Sequence, residues 1–281
     1  MPELPEVETI RRDLLPGVRG KKITGVTIPA DPRGSRVLRR YPSAARFRRR
    51  LKNRTVTGLG RRGKYLLFHL DSGDILIIHL GMSGRLLLVP ATDSLPGYTR
   101  LFFRFSDGRK LCFADPRKFG EAYLYSREEG DICCNPFALG PEPLGDNFSP
   151  ADLSRTLEGR KAGVKALLLN QKIIAGLGNI YADEALFRAG IDPRRPGGKI
   201  PAENIKRLFE SIRKVLLESI RSRGTTAANG IYVDGKGNWG RFQFKLNVYQ
   251  RKGETCHRCG SAIETARIAG RTTHFCPRCQ K

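Results

Sequence analysis

Four cysteines near one end of the chain carry the most specific chemistry in the sequence. Cys256-x2-Cys259 and Cys276-x2-Cys279 stand 16 residues apart. That is the spacing of a zinc site in which each pair turns a tight knuckle and gives two sulfurs to one tetrahedron. Two disulfides are the alternative. The start MPELPEVETIRR, however, carries acids where a secretory leader needs an apolar stretch, so a reducing, cytoplasmic setting is expected and zinc with it. Four thiolates leave no open position, so one structural Zn2+ is expected, stapling a hairpin too small for its own core. His257 and His274 share the segment but are not needed as ligands. Cys112, Cys133 and Cys134 lack ligand spacing and read as small buried apolar residues.

The other end offers a nucleophile. A small second residue permits removal of Met1, after which Pro2 presents a secondary amine. An α-amine titrates at about 7.7–8.0 against about 10.4 for lysine, so roughly a tenth of it is neutral at pH 7. A neutral amine can attack a sugar C1′ and form a Schiff base. Glu3 beside it is a candidate proton donor. Taken alone, Pro2 reads more readily as an ordinary helix start, and Glu3 and Glu6 as carboxylates favoured there by the helix dipole, Glu6 the better suited of the two.

These residues need a frame. Val7, Ile10 and Leu14 recur at helical spacing, with Pro16-Gly17 as the expected stop. Strand-length apolar runs follow at Tyr65 to Leu70, Asp74 to Leu80, Arg85 to Val89, Leu101 to Phe105, Lys110 to Ala114 and Glu121 to Ser126. Six such runs predict an antiparallel sandwich. Helical periodicity then takes over after Ser149-Pro150, in Ala162 to Leu169, Tyr181 to Ala189 and Pro201 to Arg223. In the last of these, Ile205, Leu208, Ile212, Val215, Leu216 and Ile220 form a core-facing stripe.

Of the 281 residues, Lys and Arg number 51 and Asp and Glu 27, a net charge of +24. The stretch from Arg33 to Lys64 holds 13 bases and no acid, and Arg241 to Lys281 nine bases and two acids. No apolar run reaches membrane-spanning length. The expected partner is therefore a polyanion, nucleic acid first.

Several motifs together resemble one family. They are Met1-Pro2-Glu3-Leu4-Pro5-Glu6-Val7-Glu8, Arg61-Arg62-Gly63-Lys64-Tyr65, His79-Leu80-Gly81-Met82-Ser83-Gly84, Asp115-Pro116-Arg117-Lys118-Phe119-Gly120, Gly176-Leu177-Gly178-Asn179 and the cysteine tail. On these the chain resembles the formamidopyrimidine-DNA glycosylases nearly end to end. The resemblance implies an α+β fold: an N-terminal antiparallel β-sandwich with a leading helix (1–145), a helical helix–two-turn–helix domain (146–240) and a zinc-ribbon β-hairpin (241–281). It implies a bifunctional glycosylase and lyase that removes oxidised purines from duplex DNA, as a monomer without an organic cofactor.

It also implies roles. Pro2 would be nucleophile, Glu3 proton donor, Lys64 an aid to protonation or β-elimination, and Arg271 a phosphate contact linked with δ-elimination. An enzyme that flips a nucleotide out must fill the gap, and Met82, Arg117 and Phe119 match the residues that do so. Tyr98, Arg160, Lys165 and Asn179 match DNA contacts. Three departures stand out. Tyr98 and Arg100 replace histidines frequent in the family, Val248-Tyr249-Gln250-Arg251 replaces Val-Tyr-Gly-Arg, and Gly224 to Gly240 lacks the usual residues of the loop that covers the lesion. The rivals are an endonuclease-VIII-like glycosylase for oxidised pyrimidines and a non-catalytic damaged-DNA-binding zinc protein. Met82, Arg117, Phe119 and Leu4 disfavour the first, Pro2 and Glu3 the second.

Overall fold

The leading helix α1 (Leu4–Val18) puts Val7, Ile10, Leu14 and Val18 on one buried face. It runs through Pro16 instead of stopping there. The proline falls in the last turn, where its missing N–H costs a single rung. Gly17 then lets the helix sit tightly, since a β-carbon there would meet Leu88 at 2.5 Å.

The structure, a computed structural model, describes residues 1–30, 36–126, 138–227 and 230–281. Arg33, Cys133, Cys134 and the Ala228-Asn229 step of the expected lesion loop lie outside the described residues. Two units are formed, Met1–Phe137 with Ser222–Arg241, and Ala138–Arg221 with Phe242–Lys281.

In the first unit, β1 (Ile23–Thr27), β2 (Val56–Arg62), β3 (Tyr65–Leu70), β4 (Ile75–His79), β5 (Arg85–Val89), β6 (Thr99–Phe105), β7 (Lys110–Ala114) and β8 (Glu121–Tyr125) build two antiparallel sheets. Their orders are β1-β6-β7-β5 and β2-β3-β4-β8. Leu66, Phe68 and Ile77 from one sheet, and Leu101, Phe103 and Phe113 from the other, share one core with α1. A short helix α2 (Ala44–Leu51) buries Phe47 and Leu51 into that core, turns Arg48 and Arg49 outward and pairs Arg50 with Asp74 at 2.6 Å. β1, α2 and β2 are not predicted from the sequence. Their apolar residues are sparse and interleaved with glycine and arginine.

The second unit holds α3 (Pro150–Leu157), α4 (Val164–Leu169), α5 (Asn179–Ala189) and α6 (Ala202–Arg221), then the hairpin β9 (Glu264–Ile268) and β10 (Arg271–Phe275). Ser149 caps α3 by accepting from the Asp152 N–H. The predicted α6 stripe is buried. Phe187 of α5 packs with Val248, Ile263, Cys256 and Cys276, so the cysteine module shares a small core with that helix. Among the described residues, no helix is long and apolar enough to cross a membrane.

Candidate functional site

The site in the first unit starts from how α1 begins. Glu3 is the N-cap residue and is 2% exposed; its backbone N–H donates to Glu6 Oε2 at 2.8 Å. The second oxygen of Glu6 accepts from the Thr225 N–H at 2.8 Å. Glu6 therefore does more than favour a helix dipole: it ties the Pro2-Glu3 start to the segment that begins at Gly224. Gly224 has φ 86 and leaves a β-carbon only 2.9 Å from Glu6 Oε1, so glycine is required there on two grounds. Tyr232 hydrogen-bonds the Arg223 carbonyl at 3.0 Å and lies in the core, so it is not free to cover a base.

Pro2 is buried behind an exposed Met1. Burial lowers the terminal amine, carried here by Met1, below its ordinary value; Lys64 and Arg117 push the same way, and Glu3 and Glu6 oppose them. Lys64 is itself buried, in the turn from β2 to β3 after Gly63 at φ 54. Pro2, Glu3, Lys64 and Arg117 thus share one electrostatic neighbourhood. Glu8, one turn along α1, is held at about 2: burial alone would raise it, but hydrogen bonds from Arg11 and Arg12 and the charge of Arg61 prevail.

Met82, Arg117 and Phe119 are also brought together. Ser83 Oγ and Asp115 Oδ1 form a short hydrogen bond. The Arg117 N–H donates to both of these oxygens at 3.2 Å, and Asp115 Oδ2 accepts from the Gly120 N–H at 2.7 Å. At Gly81 a β-carbon would lie 2.5 Å from the backbone of Phe119 and Gly120. The two loops are therefore one backbone-to-backbone assembly. From it project Met82, half-buried, and Phe119, 44% exposed with the Arg117 guanidinium 5.1 Å over its ring. His79, to which the sequence motifs give no role, accepts from the Gly81 N–H through Nδ1 at 3.3 Å. Burial, then Lys64, Arg39 and Arg40, lower it to about 4, so it stays neutral as that acceptor. Tyr98 is two-thirds exposed at φ 64 beside Arg100.

In the second unit Asn179 is the first residue of α5; its amide nitrogen donates to the Thr272 carbonyl at 2.9 Å. Arg160 is exposed in the turn after α3, not on a helix. Arg271 is exposed where β10 begins, just past the Ala269-Gly270 turn.

Lys165 requires a correction. The resemblance predicts a DNA contact, yet the side chain is fully buried. Its Nζ lies 2.6 Å from Asp183 Oδ1 and donates to Thr273 Oγ1 at 2.7 Å. Asp183 Oδ2 accepts from the His274 N–H at 2.9 Å. Glu184, next along α5, accepts from the N–H groups of Asn247, Val248 and Tyr249 at 2.9–3.1 Å. The adjacent acids thus hold the cysteine module at two places. In the second, Gln250 adopts φ 60, the conformation a glycine would favour.

The four cysteine sulfurs all lie within 4.8 Å of one another, with Cys256–Cys279 at 3.9 Å and Cys259–Cys276 at 3.5 Å. Zn–S bonds of about 2.3 Å give a tetrahedron with edges of about 3.8 Å, so the donor set fits one Zn2+. The N–H groups of Arg258 and Cys279 point at Cys256 and Cys276 sulfurs at 3.4 Å and support thiolate charge. The ion would be structural.

The fold and these sites define a two-unit protein with a buried Pro2-Glu3 helix start on a β-sandwich and a helical unit that carries a four-cysteine module fit for zinc. Residues 1–122 match the formamidopyrimidine-DNA glycosylase N-terminal domain, 139–229 the formamidopyrimidine-DNA glycosylase H2TH domain, and 253–281 the zinc finger found in FPG and IleRS. The formamidopyrimidine-DNA glycosylases of Geobacillus kaustophilus and Heliobacterium modesticaldum are each 47% identical to the chain, over the full length of both partners. A Lactococcus lactis FPG mutant in complex with a Fapy-dG containing DNA superposes with TM-score 0.89 at 34% identity, covering all of both chains. The MutM (FPG) protein of Thermus thermophilus gives 0.86 at 41%, covering 99% and 98%. The chain belongs to the formamidopyrimidine-DNA glycosylase family.

Proposed function

We propose that the chain is a bifunctional DNA glycosylase and abasic-site lyase of base excision repair, acting on oxidised purines in duplex DNA. The observation that carries the reading is the buried start of α1. There buried Pro2 and Glu3 stand with Lys64, in surroundings whose burial lowers the proton affinity of the terminal amine on Met1. With Met1 removed, the neutral Pro2 nitrogen attacks C1′, and the N-glycosidic bond breaks as the base leaves with a proton. The Pro2 nitrogen sheds its own proton, and Glu3 gives one to the ring oxygen as the C1′–O bond opens, which leaves a cationic iminium, a Schiff base with no N–H, between Pro2 and C1′. Loss of a C2′ proton then breaks the C3′–O bond, and δ-elimination breaks the C5′–O bond, each with a phosphate as leaving group. Lys64 assists the proton transfers, and Arg271 neutralises phosphate charge.

Met82 and Phe119 fill the gap left by the flipped nucleotide, and Arg117 offers donors to the orphaned cytosine. Tyr98, Arg160 and the Asn179 helix start hold phosphates. The relatives' complexes with Fapy-dG and carbocyclic 8-oxo-G DNA support the substrate class. The enzyme acts as a monomer in the cytoplasm, on nucleoid DNA. Borohydride trapping on 8-oxoguanine duplex tests the reading: a covalent adduct is expected. Its absence with intact protein sinks the enzyme, and undiminished trapping by Pro2→Gly refutes the nucleophile. Stronger trapping on oxidised-pyrimidine DNA would favour the endonuclease-VIII-like specificity.

A further inference from the structure

The basic stretch from Arg33 to Lys64 exceeds what the glycosylase reading uses, and Arg39 within it, a third exposed along its side chain, directs its guanidinium at protein carbonyls. Its Nη1 donates to the carbonyls of Lys118 (3.5 Å) and Gly120 (3.3 Å), and its Nη2 to that of Phe119 (3.0 Å). Nη2 also lies 3.2 Å from Oε2 of Glu121, a buried carboxylate that Arg40 approaches to 3.0 Å. One guanidinium therefore grips three consecutive carbonyls and is itself anchored by a carboxylate. The gripped backbone is strained: Lys118 has φ 58, a left-handed conformation unfavourable to a residue with a β-carbon. It is also shared, because Gly81 of the Met82 loop packs directly on Phe119 and Gly120.

We infer that Arg39 is a positioning residue for the Arg117–Phe119 wedge. It holds Lys118 in the left-handed turn that projects Phe119 and aims Arg117, and so sets discrimination of the base opposite the lesion. It does so without touching DNA. The inference rests on the glycosylase reading only for what the wedge meets. A planar fork is essential to this role, and lysine, a point charge on a flexible stem, cannot span three carbonyls.

The test compares zinc-loaded wild type, Arg39→Lys and Arg39→Gln. Arg39→Lys keeps the charge facing Glu121 and so guards against simple loss of fold. Single-turnover rates are measured on 8-oxoguanine opposite cytosine and opposite adenine. Wedge insertion is read from a fluorescent cytosine analogue opposite the lesion, and binding is followed against salt. Both variants are expected to lower the cytosine-over-adenine ratio about fivefold (about 1 kcal/mol). The fluorescence change should weaken and the salt slope stay at its wild-type value. A wild-type ratio in Arg39→Lys, with a salt slope reduced by about 0.9 in Arg39→Gln, would make Arg39 a phosphate contact and overturn the inference. Wild-type protein that binds the duplex without cutting it would sink the glycosylase reading, while the fluorescence comparison would still decide the role of Arg39.

Discussion

Replacing Lys165 by methionine separates an internal anchor from a DNA contact. The ammonium and the Asp183 carboxylate are 2.6 Å apart and both fully buried. At an effective dielectric of about 20 their attraction is about 6 kcal/mol, much of it offset by the cost of taking both charges out of water. Methionine fills similar space but strands Asp183, which among the described residues keeps the His274 groups as donors. Breaking one side of such a pair costs about 3–5 kcal/mol. The loss should fall on the register of β10 against α4 and α5, and hence on the strand that begins with Arg271. Urea unfolding of the zinc-loaded protein, with hydrogen exchange at the His274 amide, measures it. Lys165→Met with Asp183→Leu should recover a large part of the loss, because no charge is left buried alone. The reasoning fails if Lys165→Met changes stability by less than about 0.5 kcal/mol and lowers the salt slope of DNA binding by about 0.9. That pair of results would return Lys165 to the surface.

Three further outcomes follow from the same structure. Lys64 is among the charges that lower the terminal amine on Met1, and a Pro2 amine freed by removal of Met1 stands in the same field and must be neutral to attack; Lys64→Gln should therefore move the acid limb of the borohydride-trapping rate to higher pH, whatever it does to the maximal rate. His79 is held at about 4, below its ordinary 6.5, so the unfolded chain takes up the proton first. The stability this contributes is complete above about pH 6.5 and is lost as pH falls toward 4, about 3 kcal/mol in all; His79→Asn should flatten that part of the urea-midpoint profile. Gln250→Gly should stabilise the protein by about 1 kcal/mol by relieving a left-handed residue, seen as a rise in melting temperature of about 2–4 °C.

How much was legible beforehand differs by element. Strands β3 to β8 and helices α3 to α6 announce themselves through regular apolar periodicity, and the cysteine spacing alone predicts a four-sulfur cluster. β1, α2 and β2 lie in or beside the basic stretch, where each element contributes only two or three apolar residues to the core and the charged remainder masks the period. Pro16 misleads because it falls in the last turn of α1, where the helix is about to end and the missing N–H and the ring disturb little that follows. Glu6, Asp183 and Glu184 were visible as letters but not as anchors, since each acts on backbone groups 63–219 positions away. No local pattern encodes such a partner. Lys165 shows the converse risk: a motif can place a lysine correctly while its surroundings turn it inward.

The same distinction governs the charge of +24. Counting bases treats every one as available to a polyanion, yet in the richest stretch Arg39 and Arg40 face Glu121, Arg50 faces Asp74 and Arg61 faces Glu8. A base held by a buried carboxylate is less available to phosphate than a free one, so it adds less to the salt slope. What it adds is shape: Arg61 and Glu8 tie β2 to α1 beneath the amine, and Arg39 ties the turn before α2 to the wedge. Part of the basic excess is therefore spent inside the first unit, on holding the nucleophile and the wedge at fixed geometry, and only the remainder is left to grip phosphate.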